Sequence, residues 1–219
     1  INKCKLGKYI FDNSKFDQIS TEEEAYWLGF MLGDGSVTKN WVRIELADKD
    51  KEHLFKFQKF MNATNPVGKC HETLSYISLN SIDFVKKLTK YGMVKNKTYK
   101  KLITPKQIPD NLLRHFYRGF LDADGWITYQ KHKYGLTYTF GFSSYMKYIL
   151  KEIKEWISNQ IGKKCGYIIK RKREEGQVTQ LSFSGNNNYA KIYELLYNNS
   201  NIYLDRKYKI YKDWINDTD

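Results

Sequence analysis

Two aspartates carry the chemistry that this sequence can do. Asp34 lies in the stretch Trp27-Leu28-Gly29-Phe30-Met31-Leu32-Gly33-Asp34-Gly35, and ninety residues later Asp124 lies in Tyr117-Arg118-Gly119-Phe120-Leu121-Asp122-Ala123-Asp124-Gly125. At that offset Gly29 matches Gly119, Phe30 matches Phe120 and Gly35 matches Gly125, and Val37-Thr38 matches Ile127-Thr128 beyond the motif. Each copy reads as a helix that stops at Asp-Gly and turns into a strand. Gly29 and Gly33 stand four apart on one helical face, and Gly119 and Ala123 repeat the spacing. Small residues so placed let two helix backbones approach closely. Packed face to face, the copies bring Asp34 and Asp124 side by side at their C-terminal ends. A carboxylate is unfavourable at the negative end of a helix dipole, and two together repel. Divalent cations relieve both costs. Two carboxylates sharing hard cations form an arrangement suited to phosphoryl transfer.

The elements around these helices repeat as well. Thr21-Glu22-Glu23-Glu24 fits a capping box that starts the first motif helix. Val42, Ile44 and Leu46 alternate with Arg43 and Glu45, as in a half-buried strand. Leu54, Phe57 and Met61 recur at helical spacing, a second hairpin turns at Glu72-Thr73, and Ser81 caps a further helix. After a basic bridge, Pro109-Asp110 starts the second motif helix. Tyr138, Phe140 and Phe142 alternate in the next hairpin. Residues 145–160 are amphipathic, another hairpin turns at Glu175-Gly176, and two helices close the chain. The expected architecture is α+β, with two pseudo-symmetric αββαββα halves over 20–104 and 105–219. Residues 1–19 are expected to be an N-terminal extension that packs loosely or touches the partner. Each half then carries a four-stranded antiparallel sheet with one free face, and the two sheets form a saddle about the central motif helices.

Charge names the partner. With 37 Lys and Arg against 24 Asp and Glu, the 219-residue chain has a net charge of +13, which points to nucleic acid. Aromatics at 16 %, including 18 tyrosines, exclude a disordered basic tail. Cys4, Cys70 and Cys165 lack Cys-x-x-Cys spacing, which argues against a zinc site or disulfide framework and for a reducing, intracellular compartment. Cys70 and Cys165 read as small buried side chains. No apolar run is long enough to span a membrane. The start at Ile1 fits a trimmed start or a segment cut from a longer product.

The doubled motif resembles the LAGLIDADG motif of the homing endonucleases. Gly119-Phe120-Leu121-Asp122-Ala123-Asp124-Gly125 matches its core closely. The first copy departs from it at Leu32 and Gly33 but keeps Asp34. The resemblance runs from about Thr21 to about Trp214 and implies a monomer that is a pseudo-dimer within one chain. It implies metal ligation by Asp34 and Asp124 with the backbone carbonyls of Gly33 and Ala123. It also implies a basic residue near each cleaved phosphate, here Lys97 and Lys207, and a water-ordering position that falls on Asp48 in the first half and Ser144 in the second. The interval from Asp124 to Lys207 is some twenty residues longer than that from Asp34 to Lys97, and the turn near His132-Lys133 and the tip at 171–177 would hold the excess. Asp122 is assigned no catalysis, and His53 and His115 read as surface or satisfied core residues. The implied activity is Mg²⁺-dependent cleavage of both strands of a long asymmetric DNA target, leaving short 3′ overhangs. The alternative is a non-catalytic binder on the same fold, an intron RNA maturase or a regulator.

The DNA face would use the outward strand positions. In the first half these are Lys39, Arg43, Glu45, Lys69, His71, Tyr76, Ser78 and Asn80. In the second they are Thr128, Gln130, Thr137, Thr139, Lys170, Arg171, Arg173, Gln180 and Ser182. A register slip of one residue would exchange the faces.

Overall fold

The computed structural model describes residues 3–6, 9–96, 103–133, 135–173, 176–184 and 186–218. The chain opens with a hairpin of β1 (Lys3–Leu6) and β2 (Tyr9–Asp12). This segment differs from a loose extension. Phe11, Phe16 and Ile19 are buried, Phe11 and Phe16 stack edge-on or tilted against Phe84, and the Asp12 N–H donates to Met61 O at 2.8 Å. The aromatics of 1–19 lack a period, so their burial shows only once the helices they cover are in place.

The first half follows as α1 (Glu22–Asp34), β3 (Gly35–Val37), β4 (Trp41–Ala47), α2 (Lys51–Phe60), β5 (Gly68–His71), β6 (Leu74–Asn80) and α3 (Ile82–Lys90). The second follows as α4 (Leu113–Asp124), β7 (Gly125–His132), β8 (Gly135–Ser144), α5 (Lys147–Gln160), β9 (Tyr167–Arg173), β10 (Gly176–Ser184), α6 (Asn186–Tyr197) and α7 (Asp205–Thr218). Thr21 and Glu24 close the capping box of α1, at 3.2 and 3.0 Å. The Ser81 hydroxyl likewise caps α3 by accepting from Phe84 N–H.

Each half holds a four-stranded antiparallel sheet, in the orders β3-β4-β6-β5 and β7-β8-β10-β9. Val42 pairs with Leu79 and Ile44 with Ile77, all buried under the helices. Phe140 pairs with Phe183 and Phe142 with Leu181 in the second sheet, and Phe140 stacks on Phe183 at 4.9 Å. One face of each sheet is therefore core and the other is open. The longer second half places its excess in strands and helices rather than in the hairpin turns, with fourteen residues in α5 against ten in α2. β7 and β8 have eight and ten residues, against three and seven in β3 and β4. No helix among the described residues is long and apolar enough to cross a membrane.

Candidate metal centre and nucleic-acid interface

Glycines set the centre. A Cβ at Gly29 would lie 2.0 Å from Phe116 O, and one at Gly119 would lie 2.0 Å from Tyr26 O. The backbones of α1 and α4 therefore touch where the small residues repeat. Further along, a Cβ at Gly33 would meet Ala123 Cβ at 2.4 Å and Asp124 N at 3.4 Å. The residue before Asp34 thus packs on the residue before Asp124, which sets the two aspartates side by side. Both helices end there by turning straight into a strand: Gly35 N–H donates to Met31 O and Gly125 N–H to Leu121 O, each glycine in extended backbone.

Beneath the pair lies a buried polar cluster. Lys207, 3 % exposed, donates through Nζ to the carbonyls of Leu121, Asp122 and Gly125, each at 2.7 Å. A cation at a helix C-terminus satisfies orphan carbonyls and opposes the dipole. Burial pulls the Lys207 ammonium down to about 8, against the pull of Asp122, Asp34 and Asp124, which favour its charged form. Asp122 is the acidic group of this layer. Its carboxylate accepts from Tyr26 Oη at 2.8 Å, from Tyr197 Oη and from Leu204 N–H at 2.8 Å. Burial raises its pKa and outweighs Lys207 and these hydrogen bonds, which pull the other way. Asp122 is thus bonded internally and joins the two halves to the last helix.

Two further residues of this layer carry no sequence signal of their role. Arg118, fully buried in the second motif, donates to Ile202 O at 3.0 Å, Leu196 O at 2.8 Å and Glu22 Oε1 at 2.7 Å. Burial works to raise the Glu22 carboxyl, but the Asn201 N–H and Arg118 outweigh it and hold it low. His53 is buried, with Nε2 2.9 Å from Tyr26 Oη. Because the Tyr26 hydroxyl donates to Asp122, it accepts from His53, which fixes the proton on Nε2. Burial, then Lys56 and Lys207, lower His53 to about 3, so it is neutral.

The donor set suits a hard cation. Among the described residues no group of three or more His, Cys, Asp or Glu could hold a metal ion. The centre instead offers two carboxylates and the carbonyls of two converging helix ends, an all-oxygen set of the kind that Mg²⁺ or Ca²⁺ takes.

The remaining site candidates divide. Lys97 lies outside the described residues. Asp48 is not brought to the acidic pair. Ile44 pairs with Gly35, and Asp48 is four residues further, roughly 13 Å along the strand. The Ser75 hydroxyl donates to Asp48 at 2.6 Å and Lys69 stands 3.5 Å away, and the Ser75 bond leads the causes that lower its pKa. The buried Ser144 hydroxyl accepts from Met146 N–H at 3.3 Å in the turn that precedes α5.

On the open face of the first sheet lie Arg43, Glu45, Tyr76, Ser78 and Asn80, set by the pairs Trp41↔Asn80, Arg43↔Ser78 and Glu45↔Tyr76. Lys39 is exposed at the hairpin tip and His71 is exposed on β5. Lys69 is a correction. It pairs with Ser75, on the helix side, because β5 shifts register between Lys69 and His71, and it turns to Asp48. In the second sheet the pairs Thr128↔Thr139 and Gln130↔Thr137 lie on the open face. Gln180 and Arg171 share it through the register of β9 and β10, and Arg173 ends β9. Lys170 is the matching correction. It shares the face of Ile168, which packs against the core, since alternation separates it from Arg171. Ser182 is only 8 % exposed. Its cross-strand neighbour Gly141 lies under the Trp126 ring, which a Cβ there would meet at 2.5 Å. Cys165 is buried, as expected, but Cys70 is exposed on β5.

No family model matches the sequence. Over 143 residues it is 30 % identical to a DNA polymerase of Acanthamoeba polyphaga mimivirus. Over 138 residues it is 30 % identical to the replication factor C small subunit of Methanocaldococcus jannaschii. These matches take in 56 % and 60 % of this chain but only 8 % and 7 % of those proteins. Among solved structures, I-SmaMI bound to uncleavable DNA superposes with a TM-score of 0.58 at 14 % identity, covering 88 % of each chain. The I-SmaMI LAGLIDADG homing endonuclease bound to cleaved DNA gives 0.56 at 14 % identity, over 91 % of this chain and 89 % of that one. I-GzeII in complex with its DNA target gives 0.55 at 12 %, again over 91 % and 89 %. Two sheets with free faces, joined through paired motif helices that end in Asp34 and Asp124, give this chain the fold of the LAGLIDADG homing endonucleases.

Proposed function

We propose that this chain is a site-specific endonuclease that hydrolyses both strands of a DNA duplex with Mg²⁺ and leaves short 3′ overhangs. The observation that carries this reading is the acidic pair, held at the ends of two helices in backbone contact between two open sheet faces. Asp34 and Asp124 would hold the metal with the carbonyls of Gly33 and Ala123. Bound there, Mg²⁺ supplies charge neutralisation at the scissile phosphate. The chain itself provides placement. Gly29, Gly119 and the Gly33–Ala123 contact fix the spacing of the carboxylates. Lys207 anchors the end of α4 and offsets the repulsion between them. Lys97 is the basic residue we assign to the first half. Asp48 acts on Ser75 and Lys69 in this reading, outside the reaction centre.

The outward residues of both sheets would follow the two half-sites. The unequal strands of the two sheets support an asymmetric target, and the presence of both motif helices in one chain supports a monomer on one duplex. The similarity to small shares of two differently named replication proteins supports a segment that moves between host genes, as an intron or intein does. A plasmid carrying a candidate target, incubated with and without Mg²⁺, tests the reading. The expected product is linear DNA with short 3′ overhangs, only with the cation. Tight binding without cleavage in Mg²⁺ would leave a non-catalytic binder.

A further inference from the structure

We infer that Arg43 is a preset reader of guanine in the half-site covered by the first sheet; this rests on the DNA-recognition reading above. Arg43 lies in the middle of β4, on the open face, opposite Ser36 on β3 and Ser78 on β6. These small neighbours leave room above it. Its guanidinium is held from the side. Cζ is 4.2 Å from the centroid of the Tyr76 ring and 5.2 Å from that of the Trp41 ring, and Nη1 is 3.9 Å from Glu45 Oε2. The side chain remains 31 % exposed, while Nε is covered and has no hydrogen-bond partner.

Two other arginines are consumed by the protein. Arg118 is spent on carbonyls and Glu22, and Arg206 is bidentate to Asp50. Rings take a guanidinium by its faces and leave its planar N–H edge for hydrogen bonds. A side chain already ordered before contact loses little further freedom on binding.

The partner follows from the shape of that edge. Two parallel N–H groups fit two adjacent acceptors, and in the major groove guanine alone presents them, at N7 and O6. Adenine sets a donor beside its N7, and thymine offers one acceptor and a methyl. Glu45 adds discrimination. A carboxylate beside the guanidinium repels a phosphate but not a neutral base edge, so it steers Arg43 from the backbone to the base.

The test is selection of bound duplexes from a randomised pool in Ca²⁺, the cation present in an uncleaved I-SmaMI complex. It is run with the wild type, Arg43→Gln and Tyr76→Ser. The wild-type consensus should hold a guanine that Arg43→Gln changes to adenine, with other positions unaltered, because glutamine fits adenine N6 and N7. Tyr76→Ser should broaden that same position without changing its preferred base. Replacing that guanine by 7-deazaguanine should weaken wild-type binding about tenfold or more and leave Arg43→Gln unaffected. An unchanged consensus with uniformly weaker binding by Arg43→Gln would make Arg43 a phosphate contact and overturn the inference alone. A wild type that selects no consensus would overturn site-specific recognition and this inference with it.

Discussion

Asp34 and Asp124 are legible from the repeat, but the residues that hold them in place are not. Lys207 falls in a helix that its apolar neighbours announce, yet no local pattern says that its ammonium runs under the end of α4. Arg118 and Glu22 stand 96 residues apart in the chain, so their pairing exists only after the halves meet. Lys207→Met should leave the buried carbonyls of Leu121, Asp122 and Gly125 without their donor. Leaving a buried polar group without its partner costs about 1–3 kcal/mol, read as a fall in the urea midpoint at constant slope. An unchanged midpoint would show that the ammonium is dispensable there. His53 sets an acid limit. Its folded value of about 3 lies below the ordinary 6.5, so the stability it confers as the neutral form is whole above 6.5 and is lost as pH falls from 6.5 towards 3. The loss approaches about 1.4 kcal/mol per pH unit within that window. Unfolding curves of the wild type should steepen in pH dependence there, and those of His53→Phe should be flatter. Equal slopes would remove His53 from the acid limit.

At the scale of elements, periodicity performs well where strands are long and helices amphipathic, and poorly at edges. The capping box of α1, the alternation in β4 and β8 and the Ser81 cap follow from side chains a few residues apart. β5 has four residues and a register shift, too short for a period of two to declare its faces, so the helix-side position of Lys69 does not follow from the sequence. Lys170 shows the same limit in β9, where consecutive basic residues cannot share a face. The helix pair was legible because only small residues permit it. Gly29→Ala and Gly119→Ala each place a Cβ 2.0 Å from a backbone carbonyl of the partner helix, which a rotamer change cannot relieve. Each should destabilise by at least about 1–3 kcal/mol through overpacking, seen as a lower melting temperature. A melting temperature equal to the wild type would place the two backbones further apart.

For the whole molecule, the net charge and the two open faces act together. If the sheets contact about eight phosphates, log K should fall with log salt at a slope of roughly −7. A slope shallower than about −3 would remove the extended saddle, and light scattering showing an obligate dimer would remove the pseudo-dimer. The central claim is that Asp34 and Asp124 do the chemistry while the sheets do the recognition. It is tested most directly by comparing binding and cleavage at one selected target for the wild type, Asp34→Asn, Asp124→Asn and the double variant. Nicked and linear plasmid are followed over time in Mg²⁺. Each variant should bind within about tenfold of the wild type, roughly 1.4 kcal/mol, and cut slower by several orders of magnitude. A double variant that binds and linearises the plasmid at near wild-type rate would contradict it and place the chemistry elsewhere in the chain.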